Sequence, residues 1–309
     1  MRVRTGLRLL PLVPLALLPL AGCAPADDGE SASGSSSTSS TPETSGSASA
    51  GSSESAAADD CAVDQLPLLN AGTLTVGTDK PAYEPWFVDD DPTNGKGFES
   101  AVTYAVAEQM GFTPDQVSWV TVPFNTSYKP GAKDFDFDIN QISITPAREK
   151  VVSFSEGYYS AAQAIIALDD SPVAGATSLA DLKGYKLGAQ TGTTSLSAIT
   201  DVIGADEQPA VFEDTNAAKQ ALLNGQVDAI VADLPTAFYI TAAEIKGSTI
   251  VGQFQPAAGS EEQFGMLFAK DSPLVPCVDA ALDALRSSGQ LDQIEQEWLS
   301  DEVDVPVLQ

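Results

Sequence analysis

Five of the nine residues from Asn140 to Arg148 are polar: Asn140, Gln141, Ser143, Thr145 and Arg148. Just before them, Asp136 and Asp138 alternate with Phe135, Phe137 and Ile139, the period of a strand. The stretch reads as a buried strand end that runs into a polar turn. Pro146 can occupy the first turn of a helix, where its missing N–H costs nothing, and Arg148 would project from that start. A fixed guanidinium beside hydroxyls can receive a carboxylate, because its planar fork donates two parallel hydrogen bonds. A surface arginine in a solvated ion pair would leave the same trace. Two further places could meet a ligand. Gln190-Thr191-Gly192-Thr193 precedes a helical run and would expose backbone N–H groups at its start, although Thr193 could equally be a simple cap. Asp233 follows the apolar run Ala229-Ile230-Val231-Ala232, so an acid stands at a strand end; it could also cap the helix that begins near Pro235.

These residues need elements to hold them. Gly72–Gly77 reads as a strand leading to Thr78-Asp79 and then to the irregular aromatic segment Pro81-Ala82-Tyr83-Glu84-Pro85-Trp86-Phe87. Aromatic loops at strand ends are typical ligand walls in open α/β sheets, and loops packed on a core look the same. Phe98–Met110 carries an apolar face at helical spacing and ends at Gly111. Trp119–Val122 is a strand leading to Phe124. Strands follow at Ala164–Leu168, Lys186–Ala189, Asp228–Ala232, Thr249–Gly252 and Gly265–Ala269. Helices follow at Ser178–Gly184, from Thr193 to Ile203, at Asn216–Asn224, from Pro235, at Ser272–Ser287 and at Gln290–Trp298. Strands alternating with helices predict an α/β fold. Asp89–Gly95 looks like a calcium loop but would place Ser100 where the glutamate ligand belongs, so it reads as an acidic surface turn.

The ends of the chain carry different information. Arg2, Arg4 and Arg8 precede a leucine-rich run and then Leu20-Ala21-Gly22-Cys23. That is a signal-peptide pattern over residues 1–22, and its ending resembles the bacterial lipobox, in which the cysteine becomes a diacylated N-terminus. Residues 23–60 are Ser, Ala, Gly, Thr and acid without Lys or Arg, and read as a disordered tether. A net charge of −28 argues against nucleic acid or anionic lipid as a partner. With no histidine, the usual general base and the commonest metal ligand are missing. No cofactor or metal is expected. Beyond Cys23, Cys61 and Cys277 remain, a pair that an oxidising compartment would join if the fold brings them together.

Several motifs occur together: Gly72-Thr73-Leu74-Thr75-Val76-Gly77-Thr78-Asp79, Gly97-Phe98-Glu99, Ile142 to Arg148, Phe154 to Tyr159, Thr191-Gly192-Thr193-Thr194, Gly225 to Asp233 and Phe264-Gly265-Met266. In this order and spacing the chain resembles the type II periplasmic solute-binding proteins, in their polar amino-acid-binding branch. The resemblance implies a two-lobe α/β fold with two hinge strands, near Tyr158–Gln163 and Glu262–Gly265, and a ligand cleft between the lobes. It implies lobe 1 over 61–160 and 264–309 and lobe 2 over 161–263, with Cys61 and Cys277 in one lobe. It implies no catalysis; the rival reading is a dehydratase on the same fold, for which only carboxylates, Tyr or Lys could act as acid or base.

Carried over by motif, Arg148 would grip an amino acid's α-carboxylate with Ser143 and the Thr193 backbone, and Asp233 would hold the ammonium. Tyr83 and Phe124 would sandwich the side chain, with Trp86, Asp79, Asn140, Gln141 and Gln190 completing the pocket. Asn140-Gln141, Gln190 and Glu99 depart from the family's usual residues. The pocket amides favour an uncharged polar side chain, then a cationic one through Asp79, with acidic ligands last. The implied protein is a lipid-anchored, extracytoplasmic monomer that hands an amino acid to an ABC import permease.

Overall fold

The computed structural model describes residues 61–255, 261–299 and 305–309. The leader, Cys23 and the tether lie outside the described residues. The chain first lays down β1 (Leu74–Thr78), α1 (Phe98–Gln109), β2 (Val117–Thr121), α2 (Phe124–Ser127), β3 (Phe137–Asp138) and β4 (Ser153–Ala161). It then builds β5 (Gln163–Leu168), β6 (Leu187–Gln190), α3 (Thr194–Ala198), β7 (Ala210–Phe212), α4 (Thr215–Leu223), β8 (Ala229–Asp233), α5 (Leu234–Tyr239) and β9 (Ser248–Phe254). It returns through β10 (Glu262–Phe268), α6 (Val275–Ser288) and α7 (Gln290–Leu299).

Two five-stranded sheets result, in the orders β2-β1-β3-β10-β4 and β7-β6-β8-β5-β9. Each mixes parallel and antiparallel pairs: β1 runs parallel to β2 and β3, and β10 antiparallel to β3 and β4. In the second sheet β6 is parallel to β7 and β8, and β5 antiparallel to β8 and β9. The central strands are buried on both faces, so they read as continuous apolar runs rather than as alternation. In β5, Ile165 and Ala167 face one core with Leu187, Val231, Ile199 and Ile203, while Ala164 and Ile166 face another with Ile230, Leu222 and Ile240. In the first lobe Val76, Phe137 and Phe264 meet Val102 and Val106 of α1 and Val278, Leu282 and Leu285 of α6. Phe124, Phe135, Ile142, Val152 and Leu267 pack together as a smaller core.

Most of the expected elements are present. The run after Thr193 is α-helical to Ala198 and then π-helical through Ile203, ending on Gly204 at φ 65°. Residues 179–182 form a 3₁₀ turn capped by Ser178, whose hydroxyl accepts from the Asp181 N–H. Asp91 caps a short turn over Pro92–Asn94, its carboxylate accepting from the Thr93 N–H. Cys61 and Cys277 are bonded, with Cα atoms 5.5 Å apart, and tie the start of the domain to α6.

The lobe boundaries differ from the expected ones in two places. β10 already pairs with β4 from Glu262, opposite Ala161, so the return crossing begins before residue 264. The last described residues, 305–309, run beside β9 of the second sheet rather than staying with the first. The Gln253 N–H donates to Pro306 O at 2.8 Å, the Leu308 N–H donates to Gln253 O at 2.9 Å, and Leu308 is buried against the second core. The reason is packing: Gly252 leaves a notch that the Leu308 side chain fills, and any Cβ there would come within 2.5 Å of Leu308 Cγ.

Candidate functional site

The parallel strands of both sheets end at one place. β1 ends at Thr78-Asp79, β3 leads to Asn140-Gln141, β6 ends at Gln190 and β8 at Asp233. Carboxyl ends of parallel strands are where open α/β sheets meet ligands, because the loops there are free to diverge from the ladder. A cavity of about 60 Å³ lies between these ends. It is lined from the first lobe by Asp79, Tyr83, Phe124, Asn140, Gln141 and Ser143, and from the second by Gln190, Thr193 and Asp233. Nine of the eleven expected ligand residues therefore share one cavity. Thr194, Ser195, Thr215 and Thr236 line it as well; these were not singled out from sequence, although Thr194 stands in the Gly/Thr turn that was.

Two expected residues sit elsewhere. Trp86 is fully buried among Phe98, Tyr159 and Phe264, in edge-on ring contacts at 5.6–5.9 Å, and does not line the cavity. Its indole N–H crosses to the second lobe and donates to Thr236 Oγ1 at 2.8 Å. An aromatic loop beside prolines has the same sequence pattern whether it walls a cleft or, as here, plugs a core. Arg148 lies behind the lining and is 8% exposed. It donates through Nη1 to Ser143 O at 2.7 Å and through Nη2 to Gly192 O, in the other lobe, at 3.0 Å. Its guanidinium stacks 4.9 Å from the Tyr128 ring and 5.6 Å from the Phe124 ring, contacts that favour a delocalised cation. Ser143 and Thr194 hydroxyls meet across the lobes at 3.2 Å, and Lys219 Nζ stands 5.5 Å from the Tyr83 ring.

Six of the lining residues are held by their neighbours. Ser143 sits beside β10, because Ile144 N–H donates to Gln263 O and Gly265 N–H to Ile142 O. Asp79 accepts from the backbone N–H groups of Phe124 at 3.1 Å and Lys80 at 2.7 Å. Thr193 caps α3, accepting from Leu196 N–H at 3.1 Å. Asp233 Oδ1 accepts from Gln163 Nε2 at 2.7 Å, and the same amide nitrogen reaches Glu262 Oε2 at 2.8 Å. Gln163 Oε1 in turn accepts from Ser195 Oγ at 2.5 Å, so one buried amide links both hinge strands to the cavity. Gln190 Oε1 accepts from Thr215 Oγ1 at 2.9 Å, which leaves its NH₂ for the cavity. Gln141 lies at φ 47° and is anchored to buried Glu99.

Electrostatically the site is acidic. Among the described residues, Asp79 and Asp233 are the acids that line the cavity, and no lysine or arginine lines it. Burial raises the pKa of Asp79, and burial together with the nearby Glu262 carboxylate holds Asp233 well above the usual carboxylate range. Behind them, Asp138 is fully buried and neither of its oxygens has a hydrogen-bond partner. Desolvation, then the Glu99 and Asp79 charges, push its pKa well up. Burial raises Glu99 to about 7 despite its hydrogen bonds from Tyr158 and Gln141. Such a cavity can take up a small molecule that brings positive charge and hydrogen-bond donors, with a guanidinium at hand for an anionic end.

Two α/β lobes with this strand order and a polar cleft at the strand ends define a periplasmic-binding-type protein. The chain belongs to the bacterial extracellular solute-binding proteins, family 3, whose sequence profile matches residues 74–301. That family is defined by solute binding, not by turnover. It is 30% identical to the L-arginine-binding protein of Pseudomonas aeruginosa over 260 residues, covering 77% of this chain and 98% of that one. It is also similar in structure to the arginine-, lysine-, histidine-binding protein ArtJ of Geobacillus stearothermophilus, with a TM-score of 0.63 and 29% identity over 75% of this chain and 97% of that one. An ancestral arginine-binding protein bound to glutamine gives a TM-score of 0.63 at 30% identity, over 74% of this chain and 99% of that one. Among the described residues no helix is long and apolar enough to cross a membrane.

Proposed function

We propose that this protein captures a free amino acid between its lobes outside the cytoplasm and delivers it to an ABC import permease. Cys23, diacylated, anchors the domain to the membrane through the 23–60 tether. The observation that carries the reading is the cavity between the strand ends, with Asp79 and Asp233 on its wall and Arg148 directly behind. A zwitterion buried between lobes needs a donor for its carboxylate, an acid for its ammonium and few unpaired polar atoms. Arg148 has N–H groups beyond the two that hold carbonyls; with the Ser143 hydroxyl and the Thr193 backbone it receives the carboxylate. Asp233, oriented by Gln163, receives the ammonium, and Tyr83 and Phe124 flank the side chain.

Asp79 then remains for the far end of the ligand. A second acid on the wall, with no cation among the lining residues, reverses the order expected from the amides alone: a cationic side chain comes first and an uncharged polar one second. The named ligands of the relatives agree with that order. The Gln141 and Gln190 amides keep glutamine-like ligands as the second reading, and acidic ligands bring a charge that nothing on the wall neutralises. Titration calorimetry with L-arginine, L-glutamine and L-glutamate tests this. L-arginine is expected to bind tightest and L-glutamate not at all; binding of L-glutamate alone, or of none of the common amino acids, overturns the reading.

A further inference from the structure

Glu99 does not line the cavity, yet it holds a residue that does. It is fully buried in the first turn of α1. Its Oε1 accepts from the Gln141 backbone N–H at 2.6 Å and from the Tyr158 hydroxyl, and its Oε2 accepts from the Gln141 side-chain NH₂. An ionised carboxylate offers only acceptors, so the amide must turn its NH₂ toward Glu99. Gln141 Oε1 is then the end of that amide left for the cavity wall, as an acceptor. Gln141 cannot swing away, because its left-handed backbone is fixed by the same carboxylate.

A protonated Glu99 reads differently. One proton taken from solvent onto Oε2 turns that oxygen from acceptor to donor. Oε1 can keep both of its present bonds, from Gln141 N–H and Tyr158 OH. Oε2–H needs an acceptor, and a half-turn of the Gln141 amide supplies Oε1 while sending the NH₂ to the cavity. Glu99 in turn raises the pKa of Asp138 on β3, of Tyr158 on β4 and of Asp233 at the end of β8, and Asp138 also feels the charges of Asp79 and Lys133. Burial favours proton uptake by Glu99, against the hydrogen bonds from Tyr158 and Gln141, and brings it to about pH 7.

We propose that Glu99 is a positioning residue that decides which end of the Gln141 amide faces the ligand, and that proton uptake by Glu99 reverses that end. The ionised state presents an acceptor and suits a donor-rich side chain such as a guanidinium. The protonated state presents a donor and suits a side chain that carries a carbonyl. This rests on the reading of the site as an amino-acid receptor.

The test measures L-arginine and L-glutamine affinities by calorimetry between about pH 6 and about pH 8.5 for the wild type, Glu99→Gln and Gln141→Gly. The guanidinium stays charged throughout, and the two α-amino groups titrate alike, so the affinity ratio isolates the protein. The arginine-to-glutamine ratio is expected to rise about fivefold or more with pH in the wild type and less than about twofold in either variant. The pKa values of Asp79, Asp138 and Asp233 are raised as well, so the loss of slope in the variants decides, not the slope alone. In the ligand-free protein, the ¹⁵N-detected side-chain NH₂ signals of Gln141 are expected to titrate near pH 7 and to stop doing so in Glu99→Gln. Amino-acid binding with an unchanged slope in both variants, or Gln141 signals that do not titrate, overturns the switch and leaves the functional reading intact. Absence of any amino-acid binding overturns that reading and the switch with it.

Discussion

Arg148 commits two N–H donors to the carbonyls of Ser143 and Gly192, so it shapes the cleft before any ligand arrives. Arg148→Lys keeps the charge but replaces the fork with a single ammonium. It is expected to weaken amino-acid binding by about 2–5 kcal/mol, thirtyfold or more, read by calorimetry; a change within threefold would refute the assignment. Asp138 poses the opposite case, a buried carboxylate without hydrogen-bond partners. Its folded pKa, like that of Glu99, lies above the ordinary values of 3.8 and 4.5. The native state therefore holds protons that the unfolded chain has released. This contribution to stability is full at low pH, declines as pH rises through those ordinary values, and is gone above the folded ones. Urea unfolding is expected to show a more stable domain at about pH 5.5 than at about pH 8, with Asp138→Asn gaining about 1–3 kcal/mol at the higher pH. A loss of stability in Asp138→Asn at high pH would show that the charged form is stabilised by something else. Among single residues, the sequence was readable wherever chemistry and strand position coincided, as for Asp79, Ser143 and Asp233. Trp86 was not, because ring residues beside prolines carry no sign of which way they face. Glu99 stood out only as a departure from the family's usual residue; its grip on Gln141 depends on a left-handed turn that no spacing reveals.

At the level of elements, the buried strands were the clearest signal. β1, β5 and β8 are short apolar runs ended by polar residues, and they lie where that pattern put them. β3 is only two residues long and owes its existence to β1 and β10 on either side. The stretch at 305–309 carries no strand pattern of its own; it is held by Gln253 and by the notch at Gly252, both remote in sequence. Gly97 is the point where α1 meets the aromatic loop. It sits at φ 93°, and a Cβ there would lie 2.5 Å from Trp86 O. Gly97→Ala must therefore shift either α1, with Glu99 in its first turn, or the Trp86 loop. A loss of about 3 kcal/mol or more in unfolding free energy is expected, together with weaker ligand binding. An alanine variant as stable as the wild type would mean that the loop gives way freely.

For the whole molecule, the disulfide and the lobe contacts set how the parts move. The Cys61–Cys277 bond closes a span of 216 residues that includes all five strands of the second sheet. In the chain-entropy account its removal by Cys277→Ser costs up to about 5 kcal/mol, and a melting temperature unchanged by that substitution or by reductant would deny the bond a stabilising role. Trp86 N–H to Thr236, Arg148 to Gly192, and Ser143 to Thr194 all bridge the lobes around the cavity. A ligand that binds both walls favours the arrangement in which these bridges form, so small-angle scattering is expected to show a smaller radius of gyration with L-arginine than without it. The Trp86 bridge has a spectroscopic consequence. An indole that is fully buried and hydrogen-bonded to a hydroxyl of the opposite lobe changes its surroundings whenever the lobes part. Its emission would then shift to the red and become open to quenching by iodide. The molecule thus carries its own optical gauge of cleft opening, and Thr236→Val, which removes the indole's partner while keeping the side-chain shape, would recalibrate that gauge without touching Asp79, Arg148 or Asp233.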